Sequence, residues 1–319
     1  MGAASKLEIE VRPPCPYRLP TGGRGDGVLR LREGVLTRLL HVDDEPVVVH
    51  AWQRRSGAVA IRAEGPAAAL EEAVERTRFA TGVDDDLRPF YDEFKRDPFL
   101  GPAIRRRPWI RAKRRPVAWE ALAWAITAQL IESSRAAEIE RAMVRRWGRS
   151  HEWADPRGPR PGWARNGATV KLRDVPSPEA IAAVAPAELA ARDLSAARSL
   201  AMIHCAREIV AGRADPAKPA SDRRFRAIRE IGPWTLQCLG LFGRGEPDSL
   251  PAGDLAYVKL VGVAAGLGRR ATVPEVEEFY ARYEPFRGLA GIFSLAHHGE
   301  QIKAARGLPL APDAYADAA

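Results

Sequence analysis

Short apolar runs fill the first 64 residues, and Gly, Asp or Pro separates each from the next. LEIEV at 7–11, VLRLR at 28–32, VLTRLLHV at 35–42, PVVVHAW at 46–52 and AVAIRAE at 58–64 have the length and β-branched content of strands. The period then changes. PAAALEEAVERTRFA at 66–80 spaces its apolar residues for one face of a helix, with Pro66 at its start. From about residue 84 onward the spacing is helical throughout. Ser177-Pro178-Glu179 supplies an N-cap, a first-turn proline and an acidic first turn. ARDLSAARSLAMIHCAREIVAG at 191–212 reads as a further helix. Residues 148–175 form a polar Gly/Pro/Arg stretch that predicts a long loop, and 308–319 reads as a flexible tail. No internal repeat is present.

The segment with most chemistry in it runs from 225 to 254. Phe225, Ile228 and Ile231 share one helical face, and Gly232-Pro233 then breaks the helix and starts another. Trp234, Leu236, Leu239, Leu241 and Phe242 make the second helix apolar, and Gly243 predicts its end. A helix-hairpin-helix therefore spans about 221–243. Amides at the start of a helix after a glycine turn attract a phosphate oxygen, although an ordinary packed helical hairpin has the same pattern. The loop that follows ends in Pro251-Ala252-Gly253-Asp254, ahead of the apolar run LAYVKLVGVAAGLG. Asp254 suits an N-cap. The same position keeps a carboxylate ionised, as stabilising an oxocarbenium-like sugar and orienting a water would require.

Ile228-Arg229-Glu230-Ile231-Gly232-Pro233-Trp234-Thr235-Leu236, followed by Gly245-Glu246-Pro247-Asp248-Ser249-Leu250-Pro251-Ala252-Gly253-Asp254, resembles the helix-hairpin-helix DNA glycosylase superfamily, in particular its DNA-3-methyladenine glycosylase II branch. The resemblance implies an α+β, mainly α fold. A small antiparallel β-sheet domain at 1–83 would precede a helical glycosylase region of two subdomains at 84–307, with the tail at 308–319. It matches Asp254 to the catalytic aspartate, and Ile231, Gly232 and Pro233 to the turn whose amides hold a DNA phosphate. It allows a Na+ or K+ ion at main-chain carbonyls of that turn, and implies no other cofactor and no metal held by side chains. Trp234 falls where lyase-active relatives carry a Schiff-base lysine; an indole forms no imine, so the implied enzyme is monofunctional, with water as nucleophile. Glu230 departs from the family pattern, which has glycine there.

Two further stretches carry the resemblance. In DPFLGPAIRRRPWIRAKRRPVAWEALAWAITAQLI at 97–131, Gln129 and Leu130 match a pair whose second residue wedges into the DNA stack where the target nucleotide leaves. A core leucine ending an apolar helix is the other reading of Leu130, and Trp119, Leu122, Ala123 and Ile126 read as core. In YARYEPFRGLAGIFSLA at 280–296, Tyr283 and Phe286 fall where the family has base-stacking tryptophans, and Arg287 matches a family arginine. With Trp234 they make the expected base pocket.

Charge adds to this picture. The chain carries a formal net charge of +8, and Arg105, Arg106, Arg107, Arg111, Lys113, Arg114 and Arg115 cluster around Trp109 and Ile110. Such a run is either solvated surface or a phosphate-contacting face. Arg105, Arg106, Arg107, Arg111, Lys113 and Arg287 are the DNA-contact candidates. Cys15, Cys205 and Cys238 are too few and too scattered for a disulfide framework or a structural zinc site, and the cysteine cluster of the iron–sulfur glycosylases is missing. Cys238 reads as a small buried hydrophobe, and His204, His297 and His298 as core or surface residues. No segment resembles a signal peptide or a bilayer span, so a cytoplasmic, nucleoid-associated location is expected. The expected function is removal of alkylated purines (3-methyladenine, 7-methylguanine) from double-stranded DNA by a monomeric, monofunctional DNA N-glycosylase in base excision repair. The alternatives are a non-catalytic helix-hairpin-helix DNA-binding or damage-sensing protein and a glycosylase for neutral lesions such as hypoxanthine.

Overall fold

The structure, a computed structural model, describes residues 5–20, 25–154, 169–299 and 307–309. In chain order its elements are β1 (Ser5–Val11), β2 (Leu29–Arg32), β3 (Val35–Val42), β4 (Glu45–Gln53), β5 (Val59–Gly65), α1 (Leu70–Thr81), α2 (Arg88–Phe94), α3 (Gly101–Arg106), α4 (Ala118–Ala128), α5 (Ser133–Trp147), β6 (Ser150–Ala154), β7 (Thr169–Arg173), α6 (Pro178–Ala182), α7 (Pro186–Ala190), α8 (Ala196–Val210), α9 (Asp222–Arg226), α10 (Pro233–Cys238), a wider π-turned continuation Leu239–Arg244, α11 (Leu255–Ala264), α12 (Val273–Ala281) and α13 (Arg287–His297). The fold is mainly helical with an N-terminal antiparallel sheet. Two compact units interleave along the chain. One takes the described residues of 1–12, 19–83 and 127–211; the other those of 13–18, 84–126 and 212–319.

In the first unit all five expected strands form one antiparallel sheet in the order β1-β5-β4-β3-β2. Leu39 lies opposite Val48 on one face of the sheet, and Val49 opposite Ala63 on the other face with Ile61; both faces are buried. Helix α1 packs against β3, β4 and β5 through Ala73 and Val74. Its amphipathic pattern has found the face that needed covering. Residues 148–175 are not a plain loop. Strands β6 and β7 pair with Trp153 opposite Val170, and Leu172 enters a cluster with Leu39 and Val48. The buried Asp174 carboxylate then ties this hairpin to β3, accepting from the His41 main-chain N–H and lying 3.0 Å from its Nδ1, with Arg38 at 3.5 Å. The Gly/Pro/Arg richness that predicts a loop is concentrated in 155–168, which lies outside the described residues; the flanks alternate in exposure as strands do. Ser177 caps α6 as its sequence predicts, its side chain accepting from Ala180 N at 3.2 Å.

In the second unit an aromatic core gathers Phe90, Phe94, Tyr257, Tyr280, Tyr283 and Phe293 with Leu100, Val258 and Val276. Trp119, Leu122, Ala123 and Ile126 of α4 are buried, and so is Cys238. Of the expected tail, Pro309 accepts the Arg270 N–H at 2.9 Å, and residues 310–319 lie outside the described residues. No helix among the described residues is long and apolar enough to cross a membrane.

Candidate functional site

The hairpin forms around Phe225 and Ile231, which are buried, and the half-buried Ile228. The turn does not draw on glycine's conformational freedom at Gly232. Gly232 has φ −93° and ψ −179°, extended backbone open to any residue. The left-handed position belongs to Glu230, at φ +73°. A side chain there costs about 1–2 kcal/mol that glycine would avoid. A Cβ placed on Gly232 would meet nothing within 4 Å, so this residue leaves space beside the turn for an outside molecule. Pro233 is the first residue of α10 and is exposed. We expect Glu230→Gly to stabilise the protein by roughly 0.5–1 kcal/mol net of the glycine entropy cost, and to tighten DNA binding by removing a carboxylate from the turn. Thermal melting and a DNA titration at fixed salt check both; a lower melting temperature would show that Glu230 is held there for a reason other than tolerance.

The second helix does not stop at Gly243. A Cβ on Gly243 would lie 2.8 Å from Ala121 Cβ and 2.9 Å from Leu239 Cδ1, so its smallness serves close packing. The helix widens over Leu239–Arg244 and ends at Gly245, φ +73°, where Glu246 N donates to Gly240 O at 3.0 Å. Arg244 joins the hairpin's two helices, with Nη1 and Nη2 bonding the Asp222 carboxylate at 2.8 and 3.0 Å and Nε bonding Glu246 at 2.7 Å.

The loop to Asp254 is held along its length. Ser249 Oγ donates to Gln237 O at 3.0 Å, Leu289 N to Pro247 O at 2.8 Å, and Leu250 and Ala252 are buried. Arg287 bonds the Asp248 carboxylate through its main-chain N–H at 3.0 Å and its guanidinium at Nε and Nη2. Burial alone would raise the Asp248 carboxyl; these Arg287 bonds outweigh it and hold it below the ordinary carboxylate range. Such a brace is fully present above that range and is lost as pH falls through the lowered value. Arg287, expected to contact DNA, therefore spends its guanidinium on the loop that carries Asp254.

Asp254 is the N-cap of α11, half-buried, with Oδ1 accepting the Ala256 N–H at 2.9 Å. A Cβ on the preceding Gly253 would lie 3.7 Å from Trp234 Cδ1 and 3.8 Å from Trp234 Cβ, ordinary contact distances. Trp234 thus sits in the first turn of α10, beside the Gly232 turn, and near the residue before the carboxylate. Its indole Nε1 is buried without a hydrogen-bond partner among the described residues.

Of the other two pocket candidates, Tyr283 belongs to the core and Phe286 packs on its edge. Tyr283 has no exposed surface; its hydroxyl donates to Asp97 Oδ1 at 3.2 Å, and its ring meets Phe94 edge-on at 5.2 Å. Phe286 is half-buried and packs edge-on against Phe90 at 5.7 Å. Tyr283 therefore has no face left for a base, because packing against Phe94 and Tyr280 covers it.

The basic run divides. Arg105, Arg106, Arg107 and Lys113 are exposed, although Arg105 also donates to Lys95 O and Arg107 to Ala296 O. Arg111 is 7% exposed and donates to Pro108 O, Ile110 O, Pro16 O, Tyr91 Oη and Cys15 Sγ. It organises its own loop and is removed from the DNA-contact set. Exposed Arg223, Arg224, Arg226 and Arg229 around α9 went unread in the sequence. Their signal is present in DRRFRAIR, where arginines fill the positions that the Phe225–Ile228 face leaves outward.

Gln129 and Leu130 lie in the first unit, just past the end of α4. Leu130 is 92% exposed and left-handed, φ +56°. Leaving a leucine in water forgoes about 1.5–3 kcal/mol, and its backbone adds about 1–2 kcal/mol of strain. The core reading is thereby excluded: Leu130 is a surface residue.

No protein-family model matches the chain. A DNA-3-methyladenine glycosylase of Bacillus subtilis (strain 168) is 26% identical over 229 residues, 70% of this chain and 71% of that protein. Among solved structures, a 3-methyladenine DNA glycosylase from Archaeoglobus fulgidus shares the fold at TM-score 0.73 and 18% identity, covering 92% of this chain and 98% of that one. An 8-oxoguanine glycosylase/lyase of Clostridium acetobutylicum, in its apo form, shares it at TM-score 0.68 and 14% identity, covering 92% and 98%.

Proposed function

We propose that this chain, 26% identical to a DNA-3-methyladenine glycosylase over 70% of its length, is a helix-hairpin-helix DNA glycosylase and a monofunctional DNA N-glycosylase. It hydrolyses the N-glycosidic bond of alkylated purines, of the 3-methyladenine and 7-methylguanine type, in double-stranded DNA. The observation that carries this reading is the placement of Asp254: it caps the start of α11, accepting the Ala256 N–H, and follows Gly253, which lies near Trp234.

The chemistry follows from charge. An alkylated purine is cationic and leaves as a neutral base, so little general-acid help is needed. Positive charge develops on the sugar, and the Asp254 carboxylate stabilises it and orients the attacking water. The water oxygen bonds the anomeric carbon, the glycosidic electrons go to the departing base, and the water proton is lost to solvent. Trp234, where a nucleophilic amine would stand, keeps the reaction hydrolytic.

Binding to duplex DNA draws on the open space at Gly232 and the exposed arginines of α9 and 105–107. Leu130 fills the stack as the damaged nucleotide leaves. A Na+ or K+ ion at main-chain carbonyls of the hairpin turn is part of this reading, and Ile228 O, which accepts the Ile231 N–H at 3.1 Å, is one oxygen of that turn. A monomer associated with the nucleoid completes the reading.

The test is base release from methylated duplex DNA, followed by the mass of the freed bases. Release of 3-methyladenine or 7-methylguanine is expected. Release of hypoxanthine alone from an inosine-containing duplex would move the substrate to neutral lesions, and DNA binding without any release would replace catalysis by damage sensing.

A further inference from the structure

We infer that Arg198 is a positioning residue for the Leu130 turn, an inference that rests on the wedge role proposed for Leu130. The last carbonyls of α4 lack donors within the helix, and a left-handed glycine commonly closes such an end. Here the left-handed residue is Leu130, and the donors arrive from another helix. Arg198, in the first turn of α8, sends Nη1 to Thr127 O at 2.8 Å and to Gln129 O at 3.1 Å. Its Nε donates to Ser195 Oγ at 3.0 Å, and that hydroxyl caps α8 by accepting the Arg198 main-chain N–H at 3.4 Å.

The guanidinium is therefore fixed at one edge by the start of α8 and at the other by the end of α4. The Gln129 carbonyl belongs to the peptide unit that enters Leu130. Restraining that carbonyl restrains the rotation that sets Leu130 φ at +56°. A rigid planar fork does this; a single ammonium donor on a flexible stem does it less well. A cation at the end of α4 also complements its dipole. Nothing in this arrangement buries Leu130 itself, which stays 92% exposed. Arg198 thus holds an exposed leucine in one orientation without covering it.

The test is a double-mutant cycle read by 2-aminopurine placed in duplex DNA beside an abasic-site analogue, at saturating protein. Its fluorescence rises when the stack opens. Arg198→Met is expected to lose roughly half or more of that rise and Leu130→Ala nearly all of it, with the double variant no worse than Leu130→Ala. Arg198→Lys is expected to fall between wild type and Arg198→Met, and it carries the test if Arg198→Met does not fold. A full rise with Arg198→Met, losses that simply multiply, or no rise with the wild type would overturn the inference. A normal wild-type rise without base release from methylated DNA would instead sink the glycosylase reading and leave the positioning role standing.

Discussion

Asp254→Asn should abolish most base release while leaving the fold intact. Asparagine caps helices about as well as aspartate, so the bond from Ala256 N survives the change. Only the charge and its interaction with the dipole of α11 disappear, at a stability cost of at most about 1 kcal/mol. Loss of a preorganised charge aimed at the developing cation is worth on the order of a hundred- to a thousandfold in rate. DNA affinity should hold or rise, because a carboxylate near phosphate is removed. Single-turnover release, melting temperature and a DNA titration separate the two roles. Full release by Asp254→Asn, with stability lost only in Asp254→Ala, would leave Asp254 as a cap and nothing more.

Tyr283→Ala should act on stability first. Removing a buried aromatic ring costs about 3–5 kcal/mol through lost transfer energy and the cavity left behind. Here the ring touches Phe94 and Tyr280, and its hydroxyl is bonded to Asp97. The melting temperature should fall by on the order of 10 °C. Tyr283→Phe, which removes only that hydrogen bond, should cost about 1 kcal/mol and leave base release unchanged. A pocket residue would show the reverse: rate lost in both variants with the fold little affected. Of the three aromatic residues expected to form the pocket, Trp234 lies near Gly253, the residue before Asp254, whereas Tyr283 is enclosed.

The strands, the amphipathic α1, the Ser177 cap and the Asp254 cap were legible in sequence because each depends on neighbours a few positions away. Alternation of apolar residues decides which side of a strand is buried, and a capping oxygen reaches an amide only two or three residues on. The hairpin motif could be read for the same reason, down to the carboxylate at its end. Other features were set by partners far along the chain. Arg111 and Arg106 look alike in a basic run, yet one is enclosed by residues 15–16 and 91 while the other faces water. Tyr283 became core because Phe94 and Asp97 come to meet it, and Arg287 became a brace because Asp248 lies within reach. The hairpin β6–β7 emerged from an apparent loop because Asp174 finds His41 and Arg38 on the sheet. Sequence alone thus determined the elements and the chemistry available. The tertiary structure decided which charged and aromatic groups remain exposed to act, because burial and ion pairing are made by residues that no local pattern brings together.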